Sequence, residues 1–297
     1  MKITLELNHN PVHTIFSHGW IQLAPFYMLE NNKNILWALN FPSIGGVMVE
    51  ISCNITSNTV IAKVNQSIAD SEASNLRTKL QWMFRSNESF DQFWDQCKND
   101  SKMFKIAEQK AGALLRSGSL FEDVIKTLCT VNCTWTNTKM MIGNLCKNFG
   151  EPVQDGSDKY FCFPPPNIIA SASLGDLRKV NLGFRSSWIH NFAICVSEGK
   201  IDLESWQKVN NPSDLRDQLL SIPGVGPYVA DHILVMLGHY DYIPIDSIAK
   251  NILSSVTNES ISLIRMNAKM RYQKWGKNQF LAYHFERILE KFDASTM

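Results

Sequence analysis

The stretch LLSIPGVGPYVADHILVMLG, Leu219 to Gly238, restricts the fold more than any other part of the chain. Proline fixes φ and lacks an N–H, so Pro223 closes one helix and Pro227 suits the first position of the next. Gly224 and Gly226 permit backbone angles or close approaches denied to other residues. After the turn, Val229, Ala230, Ile233, Leu234 and Leu237 recur at helical spacing. Before it, Leu215, Leu219 and Leu220 do the same, with Asn211-Pro212-Ser213 as the helix start. The sequence therefore predicts a helix-hairpin-helix over residues 212–238. Such a hairpin offers the N–H groups of Gly224, Val225 and Gly226 at a helix N-terminus, where unpaired donors and partial positive charge favour an anion such as phosphate. An ordinary helical hairpin with no ligand is the simpler alternative.

The amino-terminal segment has a different texture. KITLEL, ILWALNF, VMVEISCNI and TVIAKVNQSI are short runs rich in β-branched and aromatic residues, separated by turns such as Ser43-Ile44-Gly45-Gly46. They predict an antiparallel β domain over residues 1–68. From residue 69 to 297 helical patterns dominate, as in ASNLRTKLQWMF, FDQFWDQCK, LFEDVIKTLCTVN and TNTKMMIGNLCKNF. The fold class expected is α+β, mostly α-helical, and 297 residues suffice for one large domain or two smaller ones.

Charge and cysteine usage narrow the partners. A net charge of +1 lends little support to a nucleic-acid binder, although backbone amides and local clusters of Lys and Arg supply phosphate contacts without a basic chain. No run of 18 or more apolar residues occurs, and MKITLELNHNPVH lacks the pattern of a signal peptide, so a soluble intracellular protein with no membrane partner is expected. The seven cysteines form no CxxC pair, so neither a disulfide scaffold nor a zinc site is expected; Cys129 and Cys133 fall four apart on a predicted helix and read as packing.

IPGVGPYVAD followed by IPIDS resembles the helix-hairpin-helix element and trailing aspartate of the helix-hairpin-helix-GPD superfamily of DNA glycosylases, which remove damaged bases. Asp246 lies 23 residues beyond Pro223, with Gly238 and Pro244 punctuating the interval. No cysteine follows position 195, so the iron–sulfur cluster of some members is not expected, and the resemblance is to the oxidised-guanine and alkylated-purine (3-methyladenine) branch. A small sheet followed by two helical lobes is similar to the layout of that branch. The segments Thr127–Gly150, FPPPNIIASASLGDLRKVNLGFRSSWI and WGKNQFLAYHFE extend the resemblance over most of the chain, the last being similar to the carboxy-terminal helix of less studied members, including those of plants.

The resemblance implies roles for particular residues. Asp246 would be the catalytic carboxylate, stabilising the positive charge that builds on the sugar and orienting the attacking water; the same residue is also suited to cap the helix that follows. Bifunctional members carry a nucleophilic lysine where this chain has Tyr228, which implies a monofunctional enzyme that leaves the strand intact. Lys250, one turn beyond Asp246, is the alternative amine, and a non-catalytic DNA-binding hairpin protein is the other alternative. Asn132 stands where a residue fills the gap left by the extruded base, with Cys133 a departure beside it. Phe184 and Arg185 occupy positions that wedge between bases or face the backbone. His232 corresponds to a base-pocket residue, and Ile248 replaces a polar one. Trp20, Phe26, Trp275, Phe280 and Tyr283 are candidate stacking surfaces. The carbonyls of Leu220, Ile222 and Val225 would hold a monovalent cation, K+ or Na+, with no other cofactor required. The partner implied is duplex DNA containing a damaged base, bound by a monomer.

Overall fold

The structure, a computed structural model, describes residues 1–29, 34–209, 211–254 and 259–293, the last four of these by backbone only. Five strands, β1 (Lys2–Glu6), β2 (Phe26–Met28), β3 (Asn34–Phe41), β4 (Gly45–Asn54) and β5 (Thr59–Val64), form an antiparallel sheet of order β1-β5-β4-β3-β2. The four apolar runs of the sequence become β1, β3, β4 and β5, and the predicted Ser43–Gly46 turn joins β3 to β4, with Phe41 paired to Gly45.

The short strand β2 and a second hairpin, β6 (Pro152–Asp155) with β7 (Asp158–Phe161), were not evident from alternation. This hairpin explains why β3 and β4 are apolar on both faces. On one face Leu36, Ala38 and Met48 pack on Val153 and Cys162, while Trp37, Val47, Val49 and Ile51 turn to the opposite side of the pleat. The approach is close: a Cβ on Gly46 would lie 2.7 Å from Val153 Cγ2 and 3.0 Å from the Pro152 carbonyl oxygen.

The chain divides into two compact units, residues 1–88 with 113–203 and residues 89–112 with 204–297. The boundary expected at residue 68 does not coincide with this division. The returning segment Leu114–Arg116 ties the sheet region to the helices beside it. Leu115 N–H donates to Ser17 Oγ at 3.1 Å, Arg116 N–H to the Met83 carbonyl at 3.0 Å, and Arg85 Nε to the Leu114 carbonyl at 2.6 Å. The first unit thus joins the sheet to helices Asp70–Met83, Leu120–Thr130, Trp135–Phe149 and Arg185–Ser197.

The predicted helix LFEDVIKTLCTVN ends at Thr130, so Cys133 lies in the turn beyond it rather than on the helix, its thiol donating to the Cys129 carbonyl at 3.0 Å. The second unit holds helices Asp91–Lys98, Pro212–Leu220, Pro227–Leu237, Ser247–Leu253, Ile261–Tyr272 and Gln279–Asp293. Among the described residues, no helix is long and apolar enough to cross a membrane.

Candidate active site

The hairpin forms where the prolines and glycines place it. Asn211 caps the first helix, Oδ1 accepting from Ser213 N at 3.2 Å. At its end Ile222 N donates to the Leu219 carbonyl and Val225 N to the Ile222 carbonyl, each at 3.0 Å. The Val225 amide is thereby engaged inside the turn, which removes it from the three donors expected to face an anion. Gly224 has φ +88°, a conformation that requires glycine. Gly226 is different: its φ of −85° suits any residue, it is exposed, and a Cβ there would meet nothing within 4 Å. Neither the backbone conformation nor the packing of the free protein demands a glycine at position 226. The second helix then starts on Pro227 and stops at Gly238, φ +101°, where His239 N reaches back to the Leu234 carbonyl at 2.9 Å.

One residue inside the hairpin carries a function that the pattern did not reveal. Asp231 is buried among the apolar positions of the second helix and accepts from Arg216 Nε at 2.7 Å and from Arg265 Nη2 at 2.8 Å. It ties the two hairpin helices to each other and to helix Ile261–Tyr272. Burial nonetheless pushes its carboxyl above the ordinary value, against the pull of both guanidiniums. The only sequence signal is an acidic residue within an apolar run.

Asp246 follows an irregular segment, residues 242–245, in which Pro244 lacks a backbone donor and Ile243 and Ile245 are buried. Asp246 is the N-cap of helix Ser247–Leu253, with Oδ1 accepting from Ala249 N at 2.6 Å. The other oxygen, Oδ2, lies 3.9 Å from Arg287 Nη1, and the side chain is 35% exposed. The carboxylate is therefore oriented through one oxygen and accessible through the other.

Arg287, which sequence reasoning missed, comes from helix Gln279–Asp293 and also donates to the Tyr283 hydroxyl at 3.4 Å. The Tyr283 phenol is pushed up to about 12, chiefly by burial; Arg287 opposes this, while Asp246 and Tyr228 add to it. Tyr228 and His232 sit on one face of the second hairpin helix, ring centroids 6.0 Å apart. Lys250 and Ile248 are both exposed.

In the first unit, Asn132 is exposed in the turn after helix Leu120–Thr130, with φ +48°. Phe184 is 52% exposed and packs edge-on against Trp188, ring centroids 5.0 Å apart. Arg185 departs from the expectation of a backbone-facing side chain. It is buried, its Nη2 donates to the Val131 carbonyl, and its guanidinium lies 4.3 Å from the centre of the Phe184 ring. Arg185 thus joins Phe184 to the turn that presents Asn132.

The candidate stacking rings are core residues instead. Trp20, Phe26, Trp275, Phe280 and Tyr283 are all buried, and Trp20 Nε1 donates to Asp123 Oδ1 at 2.7 Å. Among the described residues no cluster of His, Cys, Asp or Glu could hold a metal ion. The expected cation ligands are of another kind, neutral carbonyl oxygens, and that of Ile222 already accepts the Val225 amide through one of its two lone pairs.

Comparison with known proteins agrees with this geometry. The helix-hairpin-helix motif matches residues 213–235. The chain is 30% identical over 188 residues to the N-glycosylase/DNA lyase of Saccharomyces cerevisiae, covering 58% of this chain and 49% of that protein. It spans about half the length of the curated relatives it matches. Among solved structures, the 3-methyladenine DNA-glycosylase from Archaeoglobus fulgidus superposes with a TM-score of 0.74 at 18% identity, covering 98% of this chain and 99% of that one. The 8-oxoguanine glycosylase/lyase of Clostridium acetobutylicum gives a TM-score of 0.73 at 20% identity, covering 96% and 95%. The chain thus carries a matched helix-hairpin-helix motif, is similar in sequence to an N-glycosylase/DNA lyase, and shares its fold from end to end with two solved DNA glycosylases.

Proposed function

We propose that the chain is a DNA N-glycosylase of base excision repair that binds duplex DNA, accepts a damaged base extruded from the stack and hydrolyses its N-glycosidic bond with Asp246 as the catalytic carboxylate. The observation that carries this reading is the division of labour at Asp246: one oxygen is held by the Ala249 amide and the other is accessible beside Arg287. As the bond from the sugar C1′ to the base breaks, the electron pair leaves with the base and positive charge builds on the sugar. The accessible oxygen stabilises that charge. A water molecule adds to C1′, its proton passing to Asp246 or to solvent, and the base departs.

Gly226 supports the same reading from the binding side. A position that needs no glycine for its own conformation is suited to close approach by a phosphate, with the unbranched backbone of Gly224 and Gly226 against it. Asn132 and Phe184 would enter the duplex where the base has left, and Tyr228 and His232 would face the extruded base. A monovalent cation on the carbonyls of Leu220, Ile222 and Val225 would add positive charge beside that phosphate. The substrate classes favoured are oxidised and alkylated purines, those named for the Clostridium and Archaeoglobus proteins.

Tyr228 in place of a lysine favours a monofunctional enzyme. A second reading, glycosylase with lyase activity, draws on the name of the yeast relative and on exposed Lys250 one turn from Asp246. A panel of duplexes, each with one defined lesion, tests both readings. Base release that disappears in Asp246→Asn, with an intact abasic strand and no borohydride-trapped adduct, is the expected result. Trapping lost in Lys250→Ala would establish the lyase reading, and absence of base release from every duplex would reduce the chain to a DNA-binding protein.

A further inference from the structure

In the second unit, both hairpin helices, residues 241–245 and helix Ile261–Tyr272 border a cavity of about 510 Å³. Arg216, Asp231 and Arg265 line it together. Asp231 accepts from Arg216 Nε at 2.7 Å through Oδ1 and from Arg265 Nη2 at 2.8 Å through Oδ2, so one carboxylate spaces the two guanidiniums. Its side chain is 4% exposed, whereas those of Arg216 and Arg265 are 22% and 32% exposed. Lys269 lines the same cavity one helical turn beyond Arg265 and is exposed. Asp241, also exposed, is the second acid of the lining.

These charges do not balance. Asp231 compensates one guanidinium and leaves a positive charge at the cavity, and Lys269 forms no ion pair among the described residues. Arg265 and Lys269, four apart on one helix, are like charges at a spacing where they repel. A guanidinium carries five N–H donors, and each of these two gives one to Asp231; the others donate to no protein group among the described residues. Guanidiniums held in this way are weakly hydrated forks already ordered by a buried anchor, so they receive an oxyanion with little loss of side-chain entropy. A planar carboxylate faces one such fork. Two forks on different helices, with an ammonium beside them, instead suit a tetrahedral anion whose oxygens accept from several directions.

We propose that this cavity is a binding site for a phosphate-class oxyanion, separate from Asp246 and from the hairpin turn. Arg216 and Arg265 donate to different oxygens of the anion while keeping their bonds to Asp231, and Lys269 adds its charge from the exposed side. Asp241 opposes the anion and limits its affinity. Because Arg216, Asp231 and Arg265 join the two hairpin helices to helix Ile261–Tyr272, an anion on the same guanidiniums stiffens that junction.

Calorimetric titration of the whole protein with inorganic pyrophosphate, without DNA and at constant ionic strength, tests the site. Saturable binding is expected, with a rise in melting temperature that chloride at the same ionic strength does not give. Lys269→Met should weaken this binding about tenfold and leave the melting temperature of the free protein unchanged. Arg265→Lys leaves Asp231 a cation but removes the fork, and should weaken it by a similar factor. Asp241→Asn should tighten it about threefold. Gly226→Ala should bind pyrophosphate as the unsubstituted chain does, which separates this site from the hairpin. An undamaged duplex then identifies the source of the phosphate. Displacement of pyrophosphate, with weaker duplex binding in Lys269→Met, assigns the cavity to the DNA backbone; simultaneous binding of both assigns it to a free phosphate. No saturable heat, full affinity in both Lys269→Met and Arg265→Lys, or loss of binding in Gly226→Ala overturns the site.

Discussion

Replacing Asp246 separates its two structural duties. Oδ1 caps helix Ser247–Leu253 through the Ala249 amide, and Asn is as good a cap as Asp, so Asp246→Asn should cost only a few tenths of a kcal/mol in stability. Asp246→Ala loses the cap and should cost about 1 kcal/mol. The charge is a separate quantity. A carboxylate about 4 Å from a developing unit charge, at an effective dielectric of about 20, contributes about 4 kcal/mol. At a side chain 35% exposed, solvent screening reduces this, and a remainder of about 3 kcal/mol corresponds to a rate loss of about 10². Single-turnover base release from a lesion-bearing duplex measures that loss, and thermal unfolding with and without duplex measures the cap and the binding. The Asn and Ala variants should therefore be similarly inactive yet differ in melting temperature. Base release by Asp246→Asn at the unsubstituted rate would refute the charge assignment, and equal melting temperatures for the two variants would refute the cap.

Three further outcomes are expected. Gly226→Ala has room for its methyl group and should change stability by less than about 1 kcal/mol, yet weaken binding to damaged and undamaged duplexes alike by about tenfold; unaltered affinity in a gel-shift titration would remove the phosphate from the hairpin. His9 is buried with Nε2 donating to the Phe84 carbonyl at 2.9 Å, and burial lowers it from 6.5 to about 4. The unfolded chain therefore binds the extra proton first. Stability present above pH 6.5 should be lost at about 1.4 kcal/mol per pH unit as pH falls toward 4, a slope that His9→Gln should flatten in denaturant titrations. Gly46→Ala forces a methyl against Val153 and the Pro152 carbonyl, so denaturant titration should show a loss of about 1–3 kcal/mol; an unchanged midpoint would mean that β6 is free to move away.

What the sequence made legible was local. The hairpin could be read because Pro223, Gly224, Pro227 and Gly238 each act on their own backbone or on the next few residues, and the same holds for the Asn211 cap and the strands that alternate. Asp231 and Arg287 could not be read because their partners lie far along the chain: Asp231 from Arg265 by 34 residues, Arg287 from Asp246 by 41. The turn hydrogen bond of Val225 was hidden for a different reason, since backbone pairing inside a tight turn depends on angles that the residue names leave open. Arg185 shows the limit of transferring a position from a resemblance. The residue matches, but its buried guanidinium serves the Val131 carbonyl.

That link has a mechanical consequence. The Arg185 guanidinium is held by the backbone just before Asn132 and at the same time lies against the ring of Phe184. The asparagine and the phenylalanine thus share one anchor, although 52 residues separate them in the chain. A displacement of the ring is transmitted to the turn, and ordering one restricts the other. Two probes entering a duplex as a coupled pair incur the entropy of immobilisation together, so removing the shared anchor should cost more in duplex binding than trimming either tip.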